Sequence, residues 1–194
     1  MPAEKAMQRV LIVSGTDKIY DSFTQLLPQK EFNPVLRARN AGEARRILVS
    51  SPVDILIINT PLSDEFGASL ALDSSEGSMG ILLIVKNEVF EQVAYKVEDE
   101  GILTIAKPNS GQVFYSAVKL LAATHLKLTR FEKKIHTMQD KMNDIRTVNR
   151  AKWLLIENLQ MTERDAHYYI EKQAMDTRLS RREVAENLIR TYDK

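Results

Sequence analysis

The chain has 194 residues, 44% of them hydrophobic and 27% charged, which is the composition of a folded globular protein with room for one domain and an appendage or two small domains. Cysteine is absent, so disulfides, thiolate metal sites and cysteine nucleophiles are excluded and a reducing, cytoplasmic compartment is expected. No stretch approaches the ~20 apolar residues of a membrane span, and Met1 to Arg9 lacks the apolar core of a signal peptide. The net charge of +1 is unevenly spread: Lys and Arg number 11 against 15 Asp and Glu in residues 1–110, 8 against 3 in 111–150, and 8 against 8 in 151–194. A basic middle attracts polyanions, or is simply a solvated helix face.

Apolar bursts at Val10–Val13, Val35–Leu36, Ile55–Ile58, Ile81–Val85 and Ile102–Ile105 are short and rich in β-branched residues, and predict five strands. Between them, residues such as Tyr20, Phe23, Leu26 and Leu27, then Ala44, Ile47 and Leu48, then Val89, Val93, Ala94 and Val97 recur every three or four positions and predict helices. The segment 62–79, with Gly67, Gly77 and a Ser-rich run, predicts only a short or distorted helix. Alternation of this kind implies a parallel sheet covered on both faces, because parallel neighbours need crossover connections. Near-continuous apolar strands fit burial on both sides.

With five β/α units, residues 7–122 resemble a response-regulator receiver domain, which implies a flavodoxin-like fold of strand order 2-1-3-4-5, with functional groups at the carboxyl ends of the strands. The acidic pair that holds Mg²⁺ in that family corresponds to Ser14 and Gly15. The phosphoacceptor position, in Ile57-Ile-Asn-Thr-Pro61, is Asn59. The hydroxyl at the end of the fourth strand is missing at Ile84-Val-Lys-Asn87, where Val85 stands, whereas Lys107 and Pro108 match the family pattern. Phosphotransfer needs a carboxylate nucleophile and a hard cation on oxygen ligands. The expectation is therefore a receiver-like domain that is not phosphorylated, binds no metal, and is controlled by a sensor protein or ligand. Asp17, Asp54 and Asp64 are the acids near enough in sequence to form a displaced site, and caps or turns are the simpler use of each. For Lys107 a hydrogen bond to Asn59 or an ion pair competes with a signalling role.

From Ser110 the chain runs on without Gly or Pro after Gly111, which predicts one long helix. Counting Phe114 as position a of a heptad places Leu121, Leu128, Ile135, Met142 and Asn149 at a, and Ala117, Thr124, Phe131, Met138, Ile145 and Lys152 at d. Such a repeat points to a coiled coil. Leu121, Leu128, Phe131, Ile135, Met138, Met142 and Ile145 are the expected dimerisation residues of a parallel homodimer, the alternative being that the stripe packs back on the C-terminal helices. His125, His136 and His167 have no metal-ligand spacing.

Two capping-box patterns, Thr162-Glu-Arg-Asp165 and Ser180-Arg-Arg-Glu183, open further amphipathic stretches, and with the stripe Trp153, Leu154, Ile156, Leu159 they predict a three-helix bundle. The residues Arg150-Ala-Lys-Trp-Leu-Leu155, Met161-Thr-Glu-Arg-Asp-Ala166, Gln173-Ala-Met-Asp176 and Arg178-Leu-Ser-Arg-Arg-Glu-Val-Ala185 resemble the ANTAR family, the RNA-binding module of bacterial antitermination regulators. Trp153 departs from the Gly often found there. The resemblance implies a dimer that binds two small hairpins of a nascent transcript and prevents a terminator from forming. Arg150, Lys152, Arg181 and Arg182 are the phosphate candidates, and Tyr168 or Tyr169 the stacking candidates, against solvated charges and core tyrosines.

The expected architecture is thus α/β with an all-α tail: a receiver-like domain at 1–110, a coiled-coil helix at 111–147 and an ANTAR bundle at 148–194. No Gly-rich phosphate loop, nucleophile–base pair or cofactor motif suggests an enzyme. The rival functions are a coiled-coil protein-interaction scaffold and a transcription factor that binds duplex DNA, the latter disfavoured by the near-neutral residues 151–194.

Overall fold

A computed structural model describes residues 7–193. The elements run β1 (Gln8–Val13), α1 (Asp17–Gln25), β2 (Phe32–Ala38), α2 (Ala41–Ser50), β3 (Ile55–Asn59), α3 (Ala68–Asp73), β4 (Gly80–Lys86), α4 (Phe90–Val97), β5 (Leu103–Lys107), α5 (Gly111–Leu159), α6 (Glu163–Thr177) and α7 (Arg181–Tyr192). The chain divides into two compact units after Arg130.

The first unit is a parallel five-stranded sheet in the order β2-β1-β3-β4-β5. Alternate residues of each central strand feed two separate cores, as the two-residue period of a strand requires. Leu11, Val13, Leu56, Ile58, Leu83 and Val85 meet α2, α3 and α4. Val10, Ile12, Ile55, Ile57, Leu82 and Ile84 meet α1 and the start of α5. The vague segment 62–79 yields the six-residue α3, entered through Gly67 at φ 107°, where a Cβ would lie 2.9 Å from Ile58 Cγ2.

The start of α5 is part of this unit. Phe114, Ala117, Val118, Leu121 and Ala122 are buried under the sheet, and Phe114 stacks on Phe23 with ring centroids 4.6 Å apart. This stretch covers a sheet face that would otherwise expose Val10, Ile12 and Ile57. One sequence expectation is corrected here. Leu121, expected in the dimer seam, is 6% exposed and covers Gly80, whose position leaves a Cβ only 3.0 Å from that of Leu121.

A polar cluster fixes the next turn of α5. Asp54, just before β3, accepts from the Arg9 backbone N–H at 2.7 Å and from Arg9 Nη2 at 3.0 Å. His125 places Nε2 3.4 Å from Asp54 Oδ1 and Nδ1 2.7 Å from the carbonyl of Ser78. Burial pushes the Asp54 carboxyl up, but the hydrogen bonds and charge of Arg9, with a contribution from His125, bring it below the usual aspartate range.

In the second unit, Ala151 and Leu155 of α5 pack with Ala166 and Ile170 of α6 and Val184 and Ala185 of α7. Small alanines at three of these positions allow close helix approach.

Because Asp54 ionises more readily folded than unfolded, its contribution is complete above the ordinary aspartate value of about 4 and is lost as pH falls through the lower folded value. Asp54→Asn should therefore flatten the acid limb of a plot of urea midpoint against pH between about pH 5 and 2; an acid limb unchanged from wild type would count against this role.

Candidate functional site

The carboxyl end of the sheet gathers Ser14 after β1, Asn59 at the end of β3, Val85 in β4 and Lys107 at the end of β5. Ser14 and Val85 are fully buried and Asn59 is nearly so, while Gly15 is exposed. Lys107 Nζ donates to Asn59 Oδ1 at 3.0 Å and to the Thr60 carbonyl. Burial, helped by the charge of Lys86, holds the Lys107 ammonium below the usual lysine range. The Thr60 hydroxyl donates to the Ile84 carbonyl at 3.0 Å. The pocket is closed on itself by hydrogen bonds between an amide, an ammonium and backbone carbonyls. An amide nitrogen or oxygen cannot carry an acyl phosphate.

The three neighbouring acids are each engaged elsewhere. Asp17 pairs with Arg37, whose hydrogen bond and charge lower its carboxyl. Asp64 accepts from the N–H groups of Ala41 at 3.0 Å and Gly42 at 2.9 Å, which lower its carboxyl, and so caps α2 beside Asn40. Asp54 lies before β3, with Arg9 and His125. Among the described residues no group of three His, Cys, Asp or Glu is placed to hold a metal.

In the second unit, the sequence-selected cations are brought around the helix bundle but none stands alone. Arg150 pairs with Asp193, Lys152 with Glu163 at 2.7 Å, Arg181 with Glu171 at 3.0 Å, and Arg182 with Asp144 at 3.0 Å and Glu186 at 2.8 Å. The hydrogen bond and charge of Lys152 lower the Glu163 carboxyl. The sequence missed a second set. Lys133, Lys134, Lys141 and Arg146 on α5 are exposed, and none has a carboxylate partner among the described residues. The 8-to-3 charge excess of residues 111–150 was the available signal, since too few acids are present to pair every cation.

Lys141, Ile145, Val148, Asn149, Lys152, Arg181 and Arg182 line part of a groove of about 860 Å³ between α5, α6 and the start of α7. Arg181 and Arg182 are held at its rim by a complete capping box, in which the Ser180 hydroxyl accepts from the Glu183 N–H at 3.2 Å and Glu183 Oε2 accepts from the Ser180 N–H at 2.8 Å. Tyr168 is 64% and Trp153 65% exposed, so both offer a ring face for stacking, whereas Tyr169 packs against the bundle core. Apolar α5 side chains outside the bundle are exposed as well: Leu128, Phe131, Ile135, Met138, Met142 and Ile145 are each between 42% and 62% accessible.

Residues 136–189 match the ANTAR domain family, a match that begins inside α5. The chain thus combines a first unit of receiver-like fold with a match to an ANTAR domain at residues 136–189. It is 24% identical over 185 residues to the transcriptional regulatory protein PdtaR of Mycobacterium tuberculosis, covering 95% of this chain and 90% of that protein. Among solved structures, the signal receiver domain of an HD domain-containing protein from Pseudomonas fluorescens superposes with a TM-score of 0.57 at 20% identity, over 66% of this chain and 96% of that one. The chemotaxis response regulator CheY4 of Vibrio cholerae gives 0.53 at 16% identity, over 60% and 99%. These likenesses establish the fold of the first unit. No helix of the described residues is long and apolar enough to cross a membrane.

Ser180→Ala removes the hydroxyl that accepts from the Glu183 N–H and donates to Glu183 Oε2, leaving the bond from the Ser180 N–H in place, and should lower the stability of the second unit by about 1 kcal/mol, read as a lower urea midpoint. Ser180→Thr should restore most of it; equal midpoints for Ser180→Ala and wild type would show that the cap does not hold α7.

Proposed function

We propose that the protein is a non-enzymatic antitermination regulator that binds hairpin RNA of nascent transcripts as a homodimer, in the cytoplasm. Its receiver-like domain answers a protein partner or ligand instead of a phosphoryl group. The observation that carries this reading is the pairing, in one chain, of an ANTAR domain at 136–189 with a strand end where Lys107 is bonded to an amide, Asn59. The first supplies an RNA-binding output, and the second removes the group through which receivers are switched chemically. The relative PdtaR is described as a transcriptional regulatory protein, consistent with an output on gene expression.

RNA loops are held by cations on phosphate and by bases stacked on aromatic rings. Tyr168 and Trp153 supply the rings. Arg150, Lys152, Arg181 and Arg182 are fixed in position by their carboxylate partners and exchange those partners for phosphate, while the unpaired α5 cations offer charge without that exchange. The exposed α5 stripe supplies the dimer seam, with Leu128, Phe131, Ile135, Met138, Met142 and Ile145 as its knobs.

Binding of tandem-hairpin RNA should weaken steeply as salt rises, through counterion release, and duplex DNA of equal charge should compete poorly. Absence of RNA binding at low salt would favour the interaction scaffold, and preferential binding of duplex would favour the DNA-binding factor. Ile135→Glu with Met142→Glu should give a monomer by light scattering and lower RNA affinity by about tenfold or more, since the facing carboxylates cannot be buried. A dimer that survives both changes removes the seam.

Incubation with acetyl phosphate and Mg²⁺ should leave the protein unlabelled by intact-mass analysis. An acyl phosphate in the first unit would refute the partner- or ligand-controlled reading.

A further inference from the structure

The flanks of the α5 stripe carry an unusual charge pattern. With Ile135 and Met142 at a, and Met138 and Ile145 at d, Lys134 and Lys141 fall at g, and Gln139 and Arg146 at e. In a parallel, in-register pair each g residue faces the e residue five positions on in the other helix, where natural coiled coils commonly place opposite charges. Asn149 falls at a, and a single asparagine at a fixes a parallel, in-register dimer by pairing with its copy. Asn149 is exposed and has no side-chain hydrogen-bond partner among the described residues. In that register Lys134 meets the partner's Gln139 and Lys141 meets the partner's Arg146, a like-charge contact on each side of the seam.

Among the described residues, neither Lys141 nor Arg146 forms an ion pair. Asp144, three residues beyond Lys141, pairs with Arg182 at 3.0 Å, and Asp140, which lines the same groove, lies 2.9 Å from the His136 ring. Four residues beyond Arg146 stands Arg150, a further cation, held by Asp193. Lys141 also lines the groove that includes Lys152, Arg181 and Arg182.

We propose that Lys141 of one copy and the partner's Arg146 form a seat for an RNA phosphate, so that the seat exists only in the dimer and RNA binding and self-association strengthen each other. The inference rests on the RNA-binding dimer proposed above. Without the anion the two cations repel and loosen the dimer; with it they are bridged. By linkage, RNA tightens self-association by the same factor by which self-association tightens RNA binding.

The test uses the full chain, sedimentation equilibrium at low salt, and a synthetic tandem-hairpin RNA of arbitrary loop sequence, because phosphate contacts carry no sequence information. Lys141→Glu turns each like-charge contact into an ion pair. It should tighten self-association of the RNA-free protein about fivefold to tenfold over two symmetric contacts, while weakening RNA binding and reducing its salt slope. Arg146→Glu should act in the same two directions. The double variant restores a like-charge contact, now acidic, and should lose the gain in self-association without regaining RNA affinity. Inorganic phosphate, tested in parallel, should tighten the wild-type dimer far less than RNA of equal phosphate content.

A wild-type protein that dimerises and binds RNA, but whose single variants dimerise no more tightly, overturns the seat and leaves the antitermination reading standing. A wild-type protein that stays monomeric with and without RNA defeats that reading and the seat with it. Equal tightening by inorganic phosphate assigns the seat to the free ion and overturns the RNA role.

Discussion

The constraint on which the rest depends is that one helix, α5, changes its covering along its length. From Phe114 to Ala122 its apolar residues lie under the parallel sheet, and at Ala151 and Leu155 they lie in the helical bundle. Between these stretches residues 131–143 are exposed throughout, apolar positions included. Exposing a row of large apolar side chains is costly in water and marks an interaction surface. Each domain therefore inherits a helix from the same element, and the section between them stays uncovered.

At the strand ends of the first unit, Asn59 gives Lys107 a neutral acceptor. Its ammonium, partly buried and beside Lys86, is then held by Asn59 and the Thr60 carbonyl without a countercharge. The neighbouring acids are committed to structural work, Asp64 on the start of α2 and Asp54 in tying β1 and β3 to His125 of α5.

The ion pairs of the second unit separate two kinds of cation. Arg150, Lys152, Arg181 and Arg182 are oriented by carboxylates. Lys133, Lys134, Lys141 and Arg146 have none among the described residues. Surface pairs are worth little individually, so an anion meeting the first group would exchange one weak pair for another, whereas the second group would act by long-range attraction.

What the sequence determined by itself was set by local physics. The two-residue and 3.6-residue periods placed five strands and the amphipathic helices, and Ser180 with Glu183 marked the start of α7, where both capping bonds form. Thr162 at the earlier start accepts from the Asp165 N–H, and the shorter acid reaches back only to the Thr162 hydroxyl, at 2.7 Å, and not to its backbone N–H. Only the tertiary structure decided which positions of a continuous heptad pattern are already covered. Leu121 and Ile135 are equivalent in the repeat, yet one fills the space beside Gly80 and the other faces water. The same holds for charge: a lysine at 141 and one at 152 look alike in sequence, and only the distance to Glu163 sets them apart. Periodicity is written into the order of residues, whereas burial and pairing depend on what lies across a gap that only folding closes.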